Sequence, residues 1–228
     1  MAYKDNRVKV LCEFLRCNFT DPRGRLTSFT FTFTGTGSAQ TINFSDNLTN
    51  TSNSVYCVYS VTGSTALKKW RNYDLDLQNQ NITGTFTNGT IYTVIVGIGT
   101  TCWIYEENPD IRLGTQNYPR ISAKISSNNG NRLGRYDSDM EVITTYAIDF
   151  WTTKKYVYTD TDGIKHSGAD LANYLQRIFI NYFQTSVDDL YPLLFNFKII
   201  GGRGAAFEPV KEVFRSITTI EMKHIIGC

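Results

Sequence analysis

The sequence predicts an α+β protein, an antiparallel sheet with packed helices, interrupted by an inserted small all-β module. Three observations indicate this class. Residues 26–99 consist mainly of Thr, Ser, Asn, Gly and β-forming residues, with short strand patterns spaced by roughly 8–12 residues, as in small sandwiches or barrels. Apolar periodicity predicts helices at residues 6–17 and 167–184. Strand patterns return on both sides of the second helix. The fold class is therefore mixed α+β.

The first helix has one apolar face. Its members fall at i, i+3, i+4 and i+7, and they are Val8, Leu11, Cys12 and Leu15. Asp5 or Asn6 can cap its start. The run Asp21-Pro22-Arg23-Gly24 has turn chemistry and ends the helix.

Six strands are predicted in the region that follows. The clearest contains Phe29, Phe31 and Phe33 alternating with threonines, the pattern of a half-buried strand. The remaining five lie near Gln40–Phe44, Val55–Val61, Tyr73–Leu77, Ile82–Phe86 and Ile91–Gly97. Asn88-Gly89 predicts a tight hairpin between the last two.

A long polar loop is predicted between two strands of residues 118–151. Ser126–Asp139 has no apolar periodicity, and it is much longer than an ordinary hairpin connection. Such a loop in a compact domain usually binds something or orders against a partner. We therefore predict an interaction loop whose contact residues are Asn128, Asn129, Asn131, Arg132 and Arg135.

The C-terminal part predicts a sheet with one long helix. Val142–Trp151 is apolar on both faces and is therefore predicted as a central strand. Asp160–Gly163 predicts a hairpin turn, after which Ser167 caps the second helix. Strands are predicted at Leu193–Ile200 and Phe214–His224, with a flexible loop at Gly201–Gly204. The apolar stripe of the second helix is predicted to be core or an intersubunit surface, and it comprises Leu171, Tyr174, Leu175, Ile178, Phe179 and Tyr182.

Two domain arrangements fit these elements. In the preferred one, residues 1–25 and 101–228 form the α+β body, and residues 26–100 form an inserted β-sandwich-like module. The alternative is an N-terminal β domain preceded by a single helix. Sequence patterns alone do not separate the two.

Composition excludes several functional classes. The 23 basic and 21 acidic residues give a net charge of +2, so no electrostatic footprint for sequence-specific nucleic-acid binding stands out. The five cysteines include no CxxC pair and accompany only two histidines, which disfavours a structural zinc site and predicts free thiols in a reducing compartment. The N-terminus has no apolar segment of a signal peptide, and no apolar run approaches the ~20 residues of a membrane span.

No catalytic set stands out. His166 lies beside a helix cap and His224 in a terminal strand, so each is read as a surface or satisfied polar residue. Asp160-Thr161-Asp162-Gly163 resembles the start of a calcium loop, but Leu171 occupies the position where that loop needs Glu. Gly201–Gly204 is not followed by the Lys of a phosphate-binding loop. We expect no enzyme activity, no cofactor and no metal.

Two groups of segments resemble structural proteins of tailed viruses. Val55–Val61, Lys69–Asp76, Asn81–Thr83 and Val94–Val96 resemble their small β modules. Trp103–Tyr105, Tyr118–Ser122, Arg132–Gly134 and Tyr146–Trp151 resemble tail terminator (tail-completion) proteins of tailed phages and tailed archaeal viruses, which commonly have a "yPRIsv" strand, a variable loop, an "i.i.vW" strand and then a helix. The resemblance covers about residues 55–185 and consists of strand patterns.

This resemblance implies a virion protein of the tail or neck, assembled in the host cytoplasm. It implies a homo-hexameric ring that caps the tail tube and joins it to the head–neck connector. The expected partners are the tail tube protein and a neck or head-completion protein, with DNA passing through the ring lumen and no membrane involved. The β module is larger than a minimal terminator needs, which leaves another tail, neck or baseplate role open. A receptor- or glycan-binding adhesin is a further alternative, and a hydrolase is disfavoured by the missing catalytic set.

Overall fold

The structure is a computed structural model that describes residues 7–50, 52–69, 71–106, 113–132, 140–185 and 195–226. These residues form 13 strands, two α-helices and one 3-10 helix, so the mixed α+β class with prevailing strand is observed. The helices are α1 (Arg7–Asn18), α2 (Gly168–Thr185) and the 3-10 helix η1 (Thr115–Asn117). Neither α-helix is long and apolar enough to cross a membrane, within the residues described.

The chain divides into two compact units. Unit 1 comprises Met1–Cys12 and Trp103–Cys228, and unit 2 comprises Glu13–Cys102. The sequence placed the first boundary after residue 25, whereas the structural boundary falls within α1.

Unit 2 contains two three-stranded sheets. Their strands are β1 (Thr27–Thr34), β2 (Ala39–Asn43), β3 (Ser54–Thr62), β4 (Tyr73–Asp76), β5 (Asn81–Thr85) and β6 (Ile91–Gly99). One sheet has the order β1-β6-β3 and the other β2-β5-β4, with antiparallel pairing throughout. A single apolar cluster draws residues from both sheets, including Phe31, Ile82 and Val94. All six strands lie at their predicted positions.

The predicted Asn88-Gly89 hairpin is wrong. Gly89 adopts a φ of 72°, and Thr90 N donates to Thr87 O at 3.1 Å, so the turn forms. The strands it joins nevertheless belong to different sheets, because β5 pairs with β2 and β4 while β6 pairs with β1 and β3. The local turn residues reverse the direction of the chain, but long-range backbone hydrogen bonding determines which strands pair.

Unit 1 contains a five-stranded sheet and a small hairpin. The sheet strands are β7 (Ile104–Tyr105), β8 (Arg120–Arg132), β9 (Met140–Thr152), β12 (Phe195–Glu208) and β13 (Val213–Ile226), in the order β12-β13-β9-β8-β7. Pairing is antiparallel except between β7 and β8, which are parallel. The hairpin consists of β10 (Val157–Thr159) and β11 (Lys165–Ser167). β9 lies between β8 and β13, so the prediction of a central strand is confirmed.

Two predicted loops are strands instead. Ser126–Arg132, read as the start of the long loop, continues β8 and pairs with β9. Gly201–Gly204, read as a flexible loop, lies within β12, where Gly201 pairs with Thr219. Ser, Asn and Gly have low strand propensity, so a segment rich in them does not read as a strand. In both segments, pairing with the neighbouring strand stabilises the extended backbone.

Helix α2 makes specific contacts with strands of unit 1. The Phe179 ring lies 5.4 Å from that of Phe150 on β9, and Ser216 Oγ on β13 donates to Ala172 O at 2.9 Å. Gln176 Nε2 donates to Ile217 O at 2.6 Å.

Candidate interaction surface

Among the described residues, no strand pairs with the outer side of β8 over most of its length. β7 pairs only with Ile121 and Ser122. Beyond Ser122, no strand among the described residues pairs with this side of β8, while its inner side stays paired with β9 as far as Arg132. We call residues 124–132 of this strand the β8 edge. An edge of this kind presents backbone N–H and C=O groups that can pair with another chain.

The β8 edge is polar and almost uncharged. Lys124 and the four residues Ser126–Asn129 are exposed, and Ile125 is half-buried. Lys124 and Arg132 are its only charged residues. Its register with β9 shifts once, between Ile125 and Ser127, and is regular from there to Arg132. Proteins usually protect exposed edges with charges, bulges or short strands. Between Ser127 and Asn131, after the bulge, the strand carries no charge and no further register shift.

The opposite edge strand, β12, is less regular. Its register with β13 shifts three times, the last time between Arg203 and Ala206. At that bulge, Ala205 N donates to Asn173 Oδ1 of α2 at 2.8 Å. Repeated bulges disturb the flat ladder that strand addition needs. The β8 edge is therefore the better template for pairing.

The predicted interaction residues divide between described and undescribed parts of the chain. Asn128 and Asn129 are exposed on β8. Asn131 and Arg132 belong to the same strand, and Arg135 lies outside the described residues. They were predicted on a loop, whereas the described ones lie on a strand edge. The apolar pattern of β9 could have indicated this edge. It predicts a central strand, and a central strand needs a paired strand on each side.

Half of the predicted stripe of α2 is core. Leu171, Leu175 and Phe179 are buried, and the buried face also includes Ala172, Gln176 and Phe183. Tyr174, Ile178 and Tyr182 are half-buried. A role of this helix in subunit contacts stays a prediction.

The buried His166 side chain contacts two carboxylates, of which Asp160 is buried and Asp170 is exposed. Its Nδ1 lies 2.6 Å from Asp170 Oδ2, its Nε2 lies 3.0 Å from Asp160 Oδ2, and its ring stacks on Tyr174 at 4.0 Å. Burial by itself would lower the pKa of His166, but the hydrogen bonds to Asp160 and Asp170 outweigh it and raise the pKa. The hydrogen bond to His166 lowers the pKa of Asp160. His166 is thus a satisfied polar residue that joins the β10–β11 hairpin to α2.

The Asp160–Gly163 turn has a local explanation. Asp160 Oδ1 accepts hydrogen bonds from Ile164 N at 2.8 Å and Asp162 N at 3.0 Å, and Gly163 adopts a φ of 81°. Side-chain oxygens of Asp commonly close turns in this way. The predicted hairpin is confirmed.

Sequence reasoning missed a polar group in unit 2, which we call the Glu13 group: Glu13 and Cys17 of α1, Cys57 of β3, and Lys69. Glu13 Oε1 lies 2.5 Å from Lys69 Nζ and accepts from Cys17 Sγ at 3.1 Å and from Val58 N at 3.3 Å. Lys69 Nζ lies 3.4 Å from Cys17 Sγ. Its members are separated by up to 56 positions in the sequence, so no local sequence motif identifies them.

Charge and burial act in opposite directions on this group. Burial by itself would lower the pKa of Lys69, but attraction to Glu13 outweighs it and raises the pKa. Burial raises the pKa of Cys17 well above its ordinary value. The pKa of Cys57 is lowered, mainly by its hydrogen bond with Cys17. The arrangement is an ion pair in contact with the Cys17 thiol.

A cavity of about 180 Å³ adjoins the Glu13 group. Cys17 and Tyr59 both line it, together with polar residues that follow α1, including Asn18, Thr20 and Asp21. Tyr59 is 40% exposed.

Comparison of the chain with family models, curated proteins and solved structures found no match.

Proposed function

We propose that this chain is a tail terminator (tail-completion) protein of a tailed virus, a structural subunit that forms a ring at the end of the tail tube. In this proposal the ring is a homo-hexamer that joins the tube to the head–neck connector, and DNA passes through its lumen. The sequence resemblance over about residues 55–185 suggested this class. The β8 edge is the structural observation that supports it best.

The support comes from what an exposed and almost uncharged strand edge does in a folded protein. Seven consecutive residues, Ile125–Asn131, carry no charge, and the outer side of the strand is unpaired in the described structure. Pairing with a strand of another subunit would satisfy the exposed backbone groups and add main-chain hydrogen bonds. An edge that joins a different surface of the next copy makes a head-to-tail contact, and such contacts close into rings when the rotation allows.

The proposal extends to the finer architecture. In unit 1, the contacts of Phe179 with Phe150 and of Ser216 with Ala172 support a helix packed on the sheet. In unit 2, the apolar cluster shared by the two three-stranded sheets supports a sandwich-like module. We infer that unit 1 forms the ring.

The first experiment measures the oligomeric mass of the purified protein by light scattering, followed by negative-stain imaging of the same fraction. Six copies of the 25.9 kDa chain would give a mass of about 155 kDa. A closed ring with a central hole is the expected image. A monomer at every concentration, unable to add to tail tubes supplied to it, would contradict the proposal.

A second experiment tests the β8 edge directly. The double substitution Asn128→Lys with Asn129→Lys puts two charges on this strand, which discourages pairing with another strand. We expect loss of the ring while the monomer stays folded. The matched control is Thr30→Lys with Thr32→Lys, two exposed positions on β1, which is an edge strand of unit 2. Equal loss in both variants would remove the β8 edge from the interface.

One observation favours the second candidate, a glycan-binding adhesin. Tyr59 lines a cavity together with Asn18 and Asp21, which is the combination of an aromatic ring and polar groups on which sugars stack and hydrogen-bond. A glycan array tests it. Binding that disappears in Tyr59→Ala, from a protein that remains monomeric, would favour the adhesin over the ring subunit.

A further inference from the structure

A second cavity, in unit 1, is lined by two lysines that form no ion pair within the described residues. We propose that this cavity binds an oxyanion of the phosphate class, supplied either by free phosphate or by the backbone of a nucleic acid. All of its lining residues belong to unit 1, and binding of an anion there does not depend on the proposed ring.

The cavity is formed where three separate segments of unit 1 meet. They are the segment before β8, the residues directly after β9, and the turn between β12 and β13, and they contribute Leu113, Gly114, Tyr118, Thr153, Lys155, Lys211, Glu212 and Val213. The cavity has a volume of about 140 Å³. Sites for drug-sized ligands measure roughly 300–1,000 Å³, so a cavity of this size suits a single small group.

Lys155 and Lys211 supply the positive charge of the cavity. Lys155 is exposed, and Lys211 is half-buried. Lys211 Nζ lies 4.9 Å from the centre of the Trp151 ring, whose face attracts the ammonium group and limits its movement. Within the part of the chain that the structure describes, neither lysine forms an ion pair with a carboxylate. Both charges are therefore available to a ligand.

The acidic side chains of this region do not neutralise the two lysines. Glu212 also lines the cavity, so the lining carries two positive charges and one negative charge. The carboxylates of Asp149 and Glu208 pair instead with Arg215, at 2.8 Å and 3.4 Å. Lys154, the neighbour of Lys155 in the chain, is exposed and likewise has no ion-pair partner among the described residues. The cavity is positively charged overall.

Thr153 adds a hydroxyl to the two ammonium groups, and buried side chains complete the lining. Thr153 is 5% exposed, and its Oγ1 accepts a hydrogen bond from Lys155 N at 3.4 Å. This hydroxyl donates to no group within the described residues, so its proton is available to a ligand. Tyr118 and Val213 line the cavity and pack with Trp151 in a small apolar cluster. The donors therefore lie beside a rigid, buried wall.

The turn between β12 and β13 restricts the position of Lys211. Glu212 adopts a φ of 53°, in the left-handed region that residues other than glycine seldom adopt, and Glu212 N donates to Pro209 O at 3.3 Å. The next residue, Val213, is buried and pairs with Glu208 across the turn. The backbone on the C-terminal side of Lys211 is thus fixed. An ammonium group that is already positioned loses less conformational entropy when a ligand binds.

The donors of the cavity match a phosphate group better than other small ligands. A metal cation would be repelled by the ammonium groups, and a neutral ligand would leave their charges uncompensated. A carboxylate has two acceptor oxygens, whereas a phosphate group has more acceptor oxygens and a larger negative charge. It can therefore accept hydrogen bonds from Lys155, Lys211 and Thr153 together.

The test measures the acetylation rate of individual lysines in the full-length protein by mass spectrometry, with and without inorganic phosphate. A bound phosphate occupies the ammonium groups that contact it, so Lys155 and Lys211 should be acetylated several-fold more slowly at saturation. Lys198 is the internal control, because it is exposed on β12, forms no ion pair within the described residues and does not line the cavity. Sodium chloride at the same ionic strength separates phosphate binding from general screening of charge.

Lys155→Gln and Lys211→Gln provide a second measurement, by phosphorus NMR titration of inorganic phosphate with each protein. Each variant loses one charge-assisted hydrogen bond to the anion, so its affinity should fall about tenfold or more. Lys198→Gln removes one positive charge of the same unit outside the cavity and should bind phosphate like the original protein.

A short single-stranded DNA, used as a second probe, identifies the source of the phosphate group. Tighter binding of the DNA than of inorganic phosphate, with loss in both Lys155→Gln and Lys211→Gln, assigns the cavity to a nucleic acid backbone. Tighter binding of inorganic phosphate assigns it to the free ion. The proposal is overturned if neither probe slows acetylation of Lys155 and Lys211, or if Lys198 is protected to the same extent.

Discussion

Replacing Glu13 by Gln should weaken unit 2 substantially, because Glu13 is the acceptor at the centre of a buried polar group. Its Oε1 lies 2.5 Å from Lys69 Nζ and also accepts from Cys17 Sγ and Val58 N. Its side chain is 6% exposed, against 22% for Lys69. Gln keeps an acceptor oxygen for the thiol and the amide but removes the negative charge. The change therefore tests the ion pair more than the hydrogen bonds.

The size of the effect follows from burial. Removing one partner of a fully buried ion pair costs about 3–5 kcal/mol, because it leaves the other charge uncompensated. Water reaches part of Lys69, so the cost should lie at or below the lower end of that range, about 2–3 kcal/mol. Lys69→Met leaves the more deeply buried charge, that of Glu13, and should cost more. The double variant Glu13→Gln with Lys69→Met should cost less than the sum of the single variants.

The assay must report on unit 2 alone, because a chain of two units need not unfold in one step. Amide hydrogen exchange of peptides covering β3, followed by mass spectrometry, gives this local measurement. A loss of about 2–3 kcal/mol corresponds to exchange about 30- to 150-fold faster. Glu208→Gln in unit 1 is the control, since Glu208 pairs with Arg215 at 3.4 Å but is 40% exposed, and exposed pairs contribute little. Less than threefold faster exchange in Glu13→Gln, or strictly additive single effects, would refute the reasoning.

Two further predictions concern His166 and Gly97. Because the pKa of His166 is raised, the stability it adds to the β10–β11 hairpin should be fully present below about pH 6.5 and lost as the pH rises through the folded-state pKa. The groups that set this pKa are Asp160 and Asp170, with Tyr174 stacked on the ring. Hydrogen exchange of residues 157–167, corrected for its intrinsic pH dependence, should show protection decreasing as the pH rises. The His166→Gln variant should show no such decrease. Protection that increases with pH would contradict the prediction. Gly97→Ala should destabilise unit 2 by about 1–3 kcal/mol through overpacking against Cys57, and adding Cys57→Ala should restore much of the loss. Equal β3 exchange rates in Gly97→Ala and the original protein would show that the site relaxes freely.

Side-chain periodicity was sufficient to predict the helices and strands whose buried positions are occupied by apolar residues at a regular spacing. The alternation of Phe29, Phe31 and Phe33 predicted β1, and the apolar stripe beginning at Leu171 predicted α2. The apolar faces of Val142–Trp151 predicted a central strand. In each case burial selects apolar residues at a regular spacing, and that selection is visible in the sequence.

Some residues of the candidate surface could be predicted from the sequence, but its conformation could not. Ser126–Arg132 was recognised as unusual and polar, and its exposed residues Asn128 and Asn129 were named. Its conformation was predicted wrongly, because hydrogen bonds from β9 hold it as a strand and no side-chain pattern records them. The same reason explains the misread Gly201–Gly204, which β13 holds within β12.

The sequence by itself determined the mixed α+β class, the positions of the β-module strands and the two helices, because local pattern and turn chemistry encode them. The tertiary structure decided which strands pair, so that the turn at Asn88-Gly89 joins two sheets. It also decided which polar groups meet, bringing Glu13 to Lys69 and the Cys17 thiol to the backbone of Val58. Strand pairing and polar contacts depend on residues that are tens of positions apart in the sequence. These residues come together in space only when the whole unit folds and buries its apolar faces.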